Sequence, residues 1–302
     1  MRLQLLGIII AVFTPILHGW ANILDSYFVN DVSTSIGLVI FVSELSKLLV
    51  VPLVVIIDAP HAITITEFAI VALIALIEIA YQYPYYGALQ KGDTSVVASL
   101  FSLGKLSIPL FAYLLVGERL TRLQYVGFLL IITASIFLTI DVRRLRLNDT
   151  FLLMALVSVV LSLQTVLYKY LFQTGVSWST AIVWTSITQC IIAGIGMISR
   201  ERLPDLTAAQ KLLTGNGPIF LLSQCFTWSG SVAGQLATYI MPVSIVSAIN
   251  STQPIVILVC AVVCGSRIPR LFREQLETRV SATKIALFMF MVLGALLITV
   301  GS

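Results

Sequence analysis

Charge is what this sequence has least of: 11% of its 302 residues are Asp, Glu, Lys or Arg, where a soluble domain carries roughly 25%. That excludes an ordinary soluble fold. With 58% apolar residues and a mean hydropathy of +1.01, the chain reads as a polytopic membrane protein. Histidine occurs twice, as His18 and His61 on different segments, too few to assemble a catalytic metal site or a histidine-based nucleophile system. The cysteines Cys190, Cys225, Cys260 and Cys264 all fall in apolar segments; Cys260 and Cys264 share a helix face at i, i+4 but lack further zinc ligands, so small buried side chains are expected. No phosphate-cradling glycine loop is present, which excludes ATP as an energy source, and no cofactor is expected. Nor is there a nucleic-acid motif: the net charge of +4 sits in loops, where it bears on membrane orientation. The opening run from Met1 to Asn22 lacks a small-x-small cleavage site and is long enough to span, so a first membrane helix is expected there, not a leader.

What is present is length in apolar runs. Ten can be marked, at 3–24, 33–57, 66–88, 94–116, 123–140, 149–172, 178–199, 217–240, 243–265 and 282–300. An all-α polytopic fold of ten transmembrane helices follows. Within it one hydrophobic unit recurs: Ala88–Gly117 aligns with Ala237–Ser266, pairing Ser95 with Ser244, Val97 with Val246, Ser102 with Ser251 and Lys105 with Pro254. Tight turns, Gln90–Asp93 and Met241–Pro242, precede the second member of each pair. Since five is odd, a second copy re-enters from the opposite side, and the expectation is a 5+5 inverted repeat: residues 1–142 and 149–302, together one membrane domain.

Residues 105–130, KLSIPLFAYLLVGERLTRLQYVGFLL, resemble the signature between the fourth and fifth helices of EamA-type transporters of the drug/metabolite transporter superfamily. The elements of the resemblance are a proline-containing apolar helix ending in Gly117-Glu118-Arg119-Leu120, then Gln124 and Gly127. HGWANILDSYF, from His18 to Phe28, resembles the family's first helix less closely. The resemblance implies a central cavity, export or exchange of small metabolites by alternating access, and no enzymatic activity. The ninth run departs from it, ending Cys264-Gly265-Ser266-Arg267 where the family often repeats the Gly-Glu pair. On orientation two expectations stand opposed. Arg2, Arg119, Arg122 and Lys169 lie on the side of the termini against twelve Lys and Arg on the other side, which by the positive-inside rule puts both termini outside. The resemblance implies cytoplasmic termini.

Polar residues inside apolar spans are expensive and mark function. Lys105 stands out, deep in its run at a cost of roughly 2.5–3.5 kcal/mol. Ala98, Ser102, Lys105 and Pro109 share a helix face, and Ser247, Ser251, Pro254 and Leu258 form the counterpart with Asn250 beside them; small residues of this kind also serve close helix packing. Glu44 and Lys47 at i, i+3 permit an intrahelical pair. Glu78 is the candidate counter-charge for Lys105 and candidate proton carrier, with Tyr81, Gln82 and Tyr85 on its face, although tyrosines also form interfacial belts. Thr14, His18, Asn22 and Asp25 form a stripe on the first segment, where His18 and Asp25 could relay a proton. Trp228 lies near the Gly230/Gly234 pair, a small-xxx-small helix contact. Trp184 and Gln189 are further cavity candidates.

The expected activity is therefore secondary transport of a small polar or zwitterionic metabolite, such as an amino acid or its derivative, with protons as coupling ion. The expected setting is the bilayer of a bacterial inner membrane, as a monomer or homodimer. The alternatives are an organic-cation exporter, a membrane enzyme acting on lipid-linked substrates, and a non-transporting membrane protein.

Overall fold

The computed structural model describes residues 2–32, 35–90, 94–139, 149–201, 206–264 and 282–300. Every regular element among them is helical. They are α1 (Arg2–Tyr27), continued by a π-helical turn (Phe28–Val32), α2 (Ile36–Lys47), α3 (Val51–Ile57), α4 (Ile65–Leu89), α5 (Thr94–Lys105), α6 (Ile108–Val116), α7 (Arg122–Thr139), α8 (Asp149–Gln173), α9 (Trp178–Glu201), α10 (Leu206–Ile240), α11 (Val243–Asn250), α12 (Gln253–Cys264) and α13 (Ala282–Val300).

Six described stretches are long and apolar enough to cross a membrane: Leu5–Val32, Ile36–Ile57, Ile65–Leu89, Leu153–Gln173, Trp178–Gly196 and Val243–Cys264. Their outward faces carry the large apolar side chains a bilayer requires, among them Ile56, Leu76, Leu156 and Val262. Two helices start at side-chain caps: Ser35 accepts from Leu38 N–H at α2, and Thr64 with Glu67 forms a capping box at α4.

Three expected spans are broken. The second is interrupted at Leu48–Val50, the fourth at Leu106–Ser107 and the ninth at Ser251–Thr252. A proline follows each break, as Pro52, Pro109 and Pro254, at the first turn of the next helix where its missing N–H costs least. The face drawn from Ala98 through Pro109 is thus not one helical face, because α5 ends at Lys105. The connection expected at 200–216 is also shorter than read, since α10 already begins at Leu206. The arginine-rich connections on which the orientation count leaned, 141–148 and 267–281, lie outside the described residues.

Candidate functional site

The helices enclose a cavity of about 320 Å³, lined by residues of α1, α2, α4, α5, α8, α9, α10, α11 and α12, and so by both sequence halves. His18, Glu44, Glu78, Tyr81, Gln82, Tyr85, Lys105, Trp228 and Asn250, singled out from the sequence, all line it. So do Thr14, Asn22, Asp25 and Gln189. Ser102 and Ser251 do not. The Ser102 hydroxyl meets that of Ser135 on α7 at 3.4 Å, Ser135 donates to the Ser251 carbonyl, and the Ser251 hydroxyl donates to Ser247 O at 2.8 Å. These serines bind helices to one another, as small polar residues do in membranes. Trp184 also lies away from the cavity, donating its indole N–H to His61 O at 3.2 Å.

The charges divide differently from the expectation that Glu78 balances Lys105. Glu78 instead faces Lys47, at 3.8 Å, and its other oxygen accepts from Gln164 Nε2 at 2.8 Å. Lys47 also donates to Glu44 Oε1 at 2.8 Å, the i, i+3 pair read from the sequence, and to Gln189 Oε1 at 3.2 Å. Gln82 Nε2 donates to the same Glu44 oxygen at 2.7 Å. Two carboxylates and three amides from α2, α4, α8 and α9 thus surround one ammonium. The signal missed was glutamine: Gln164 and Gln189, each in an apolar run, complete this network.

Lys105 has no such partner. Both ion pairs among the described residues belong to Lys47. The same cavity is lined by His18, near enough to both Lys105 and Lys47 for their charges to interact, and by residues with buried polar atoms that have no hydrogen bond: Thr14 Oγ1, Trp228 Nε1, Gln235 Oε1 and Asn250 Oδ1. Glu44 Oε2 is likewise unpaired. A buried polar atom without a partner costs roughly 1–3 kcal/mol, which marks this cavity as a place where polar groups are unsatisfied by the fold itself. Gly230 gives His18 its place: a Cβ there would fall 2.4 Å from the imidazole Cδ2, which requires the close α1–α10 approach read from the glycine pair.

Two of the three helix breaks are built alike. Ser107 N–H and Oγ both reach Gly104 O, at 2.9 and 2.7 Å; Thr252 N–H and Oγ1 both reach Ile249 O, at 3.0 and 2.8 Å. Each break precedes a proline, which leaves the carbonyl four residues back without a helical donor. Those carbonyls belong to Lys105 and Asn250. The local register therefore pairs Lys105 with Asn250, one helical turn away from the Pro254 pairing suggested by sequence alignment.

At the end of α6 the backbone turns through Gly117 at φ 68°, and Glu118 reaches across to cap α11: Val243 N–H donates to Oε2 at 2.7 Å and Ser244 N–H to Oε1 at 3.0 Å. Lys169, counted from the sequence among the charges on the side of the termini, donates to Thr238 O and Met241 O at the end of α10, at 2.8 and 2.9 Å. An anion at a helix N-terminus beside a cation at a helix C-terminus uses both signs of the backbone dipole.

A polytopic helical bundle around a charged, partly unsatisfied cavity is the architecture of a membrane protein that handles polar solutes. Residues 5–140 match the EamA-like transporter family, the family that the signature at 105–130 resembles. Twenty-eight chains of solved structures match. One of them, a crystal structure of a protein, superposes with a TM-score of 0.65 over 98% of this chain and 98% of its own, at 16% identity, a likeness that shows the fold. No curated protein sequence matches.

Proposed function

We propose that the chain is a secondary transporter of ten membrane helices in a 5+5 inverted repeat, exporting or exchanging a small polar or zwitterionic metabolite by alternating access in a bacterial inner membrane. An amino acid or its derivative is the substrate class. The observation that carries this reading is the unpaired Lys105 ammonium in a cavity of about 320 Å³, within the size range of small-molecule sites. Residues with unpaired donors and acceptors line the same cavity. A substrate carboxylate would neutralise Lys105, and Trp228 Nε1 offers it a second donor. The substrate's ammonium has Glu44 Oε2 and Asn250 Oδ1 as acceptors. The matched breaks before Pro109 and Pro254 support the inverted repeat, since discontinuous helices at equivalent places in two halves are how such repeats expose backbone carbonyls to a midplane site.

A second reading, an organic-cation exporter, draws on the excess of acids in the cavity: Asp25, Glu44 and Glu78 against Lys47 and Lys105. Counterflow in proteoliposomes separates the two, with radiolabelled L-amino acids offered one at a time beside tetraphenylphosphonium. The zwitterion reading expects flux of an amino acid that falls in Lys105→Ala. Flux of the cation alone, undiminished in that variant, overturns it.

A further inference from the structure

Resting on the transporter reading, we propose that Asp25, with Tyr85 and Asn22, is the site that takes up and releases the coupling proton, in place of Glu78. Glu44 and Glu78 both face Lys47, so each is already committed to a buried cation. Asp25 is 9% exposed, lines the cavity, and is held by neutral donors: Ser223 Oγ reaches Oδ1 at 3.2 Å and Tyr85 Oη lies 3.2 Å from Oδ2. A carboxylate inside the apolar region with no cation beside it is either neutral or waiting for a positive charge.

The hydrogen count at Tyr85 makes the point sharper. Its single phenol hydrogen faces two acceptors, Asn22 Oδ1 at 2.9 Å and Asp25 Oδ2 at 3.2 Å, and can serve only one. With a proton on Asp25 Oδ2 both contacts are satisfied: the acid donates to Tyr85 Oη, and Tyr85 donates to Asn22. When that proton leaves to cavity water, the phenol hydrogen turns to the carboxylate, and Asn22 Oδ1 loses its donor. One proton enters and one leaves, and no other bond changes. The exchange re-sorts a contact between α1 and α4. Just beyond it α1 passes into the π-helical turn Phe28–Val32, a form that concentrates at functional positions, and this turn is tied to the end of α4 by Asn30 Nδ2 to Leu89 O at 3.1 Å and Gln90 Nε2 to Val29 O at 3.2 Å.

The titratable and charged groups that share the cavity with Asp25 are His18 on its own helix, Glu44 and Lys47 on α2, Glu78, Tyr81, Tyr85 and Tyr86 on α4, Lys105 on α5 and Tyr168 on α8. The cavity-lining residues of α10, α11 and α12 bring no acid, lysine or histidine. Of these groups, the phenol of Tyr85 is the one bonded to Asp25.

The test has two arms. In pH-difference infrared spectra of the purified protein in lipid nanodiscs, a protonated-carboxyl band should appear as pH falls, vanish in Asp25→Asn, persist in Glu78→Gln, and titrate at a shifted pH in Tyr85→Phe. In proteoliposomes, the ratio of flux driven by a pH gradient to counterflow of the same radiolabelled L-amino acid should fall in Asp25→Asn and be restored in Asp25→Glu. A band that survives in Asp25→Asn, or a flux ratio that does, overturns the proposal. If no L-amino acid moves in the unaltered protein, the substrate reading fails, while the infrared arm still decides whether Asp25 carries the proton.

Discussion

Lys47 and Lys105 are the same side chain in the same cavity, and they differ in everything around it. Lys47 sits between two carboxylates and the Gln189 carbonyl oxygen; Lys105 stands at a helix break with no ion pair, in a cavity whose lining also holds unpaired neutral atoms and one imidazole. The difference teaches how to tell a structural intramembrane charge from a working one. Desolvation is costly for both. For Lys47 the fold itself offsets it, through groups from three other helices. For Lys105 the fold supplies the negative ends of a helix terminus and leaves the remainder to a ligand. Placing Lys105 in the last turn of α5, where the carbonyl dipoles favour a cation, makes it tolerable without making it satisfied.

The comparison breaks most visibly if Lys47 is removed. Lys47→Met leaves Glu44 at 0% exposure without its cation and should destabilise the protein by about 3–5 kcal/mol, read as a lower thermal midpoint in detergent. Lys105→Met should do the reverse: thermal stability equal to or above the unaltered protein, but substrate affinity lower by roughly 10- to 100-fold, the equivalent of a lost charge-assisted bond of about 1.5–3 kcal/mol. If Lys105→Met melts early and Lys47→Met does not, the two roles are exchanged.

Smaller changes sharpen the contrast. Gly230→Ala pushes a methyl into His18, beside Lys105, and should lower stability by about 1–3 kcal/mol, with the loss relieved in a His18→Ala background; thermal unfolding of the single and double variants measures this. Glu78→Gln should cost least, about 0–1 kcal/mol, because Glu78 is the more exposed and more distant partner of Lys47, at 3.8 Å against 2.8 Å for Glu44. Equal melting of Glu44→Gln and Glu78→Gln would mean that the two acids share Lys47 evenly.

Much of the helical layout was legible. Hydropathy marks nearly every described helix within a few residues, because a span must be apolar along its whole length and its ends need polar caps. The breaks were less so. A proline at the first turn of a helix and a proline within a helix look alike in sequence, and Pro15 and Pro84 do sit inside α1 and α4 while Pro109 and Pro254 follow interruptions. The alignment of the two units went astray by one turn for the same reason. Apolar identities slide along a helix without penalty, whereas the Ser107 and Thr252 hydrogen bonds fix the register.

By itself the sequence determined that this is a membrane-spanning helical bundle, which family residues 5–140 match, and that charged residues are buried in it. Those properties are local or additive: hydropathy sums along each run, and a signature motif is contiguous. Which acid serves which cation was decided only by the tertiary structure. Glu44, Lys47, Glu78, Gln164 and Gln189 lie on four helices, and a charge in a low-dielectric interior is settled by the partners within a few ångströms, not by its neighbours in the chain. The same packing that gives Glu78 to Lys47 leaves Lys105 open and sets Asp25 against Tyr85.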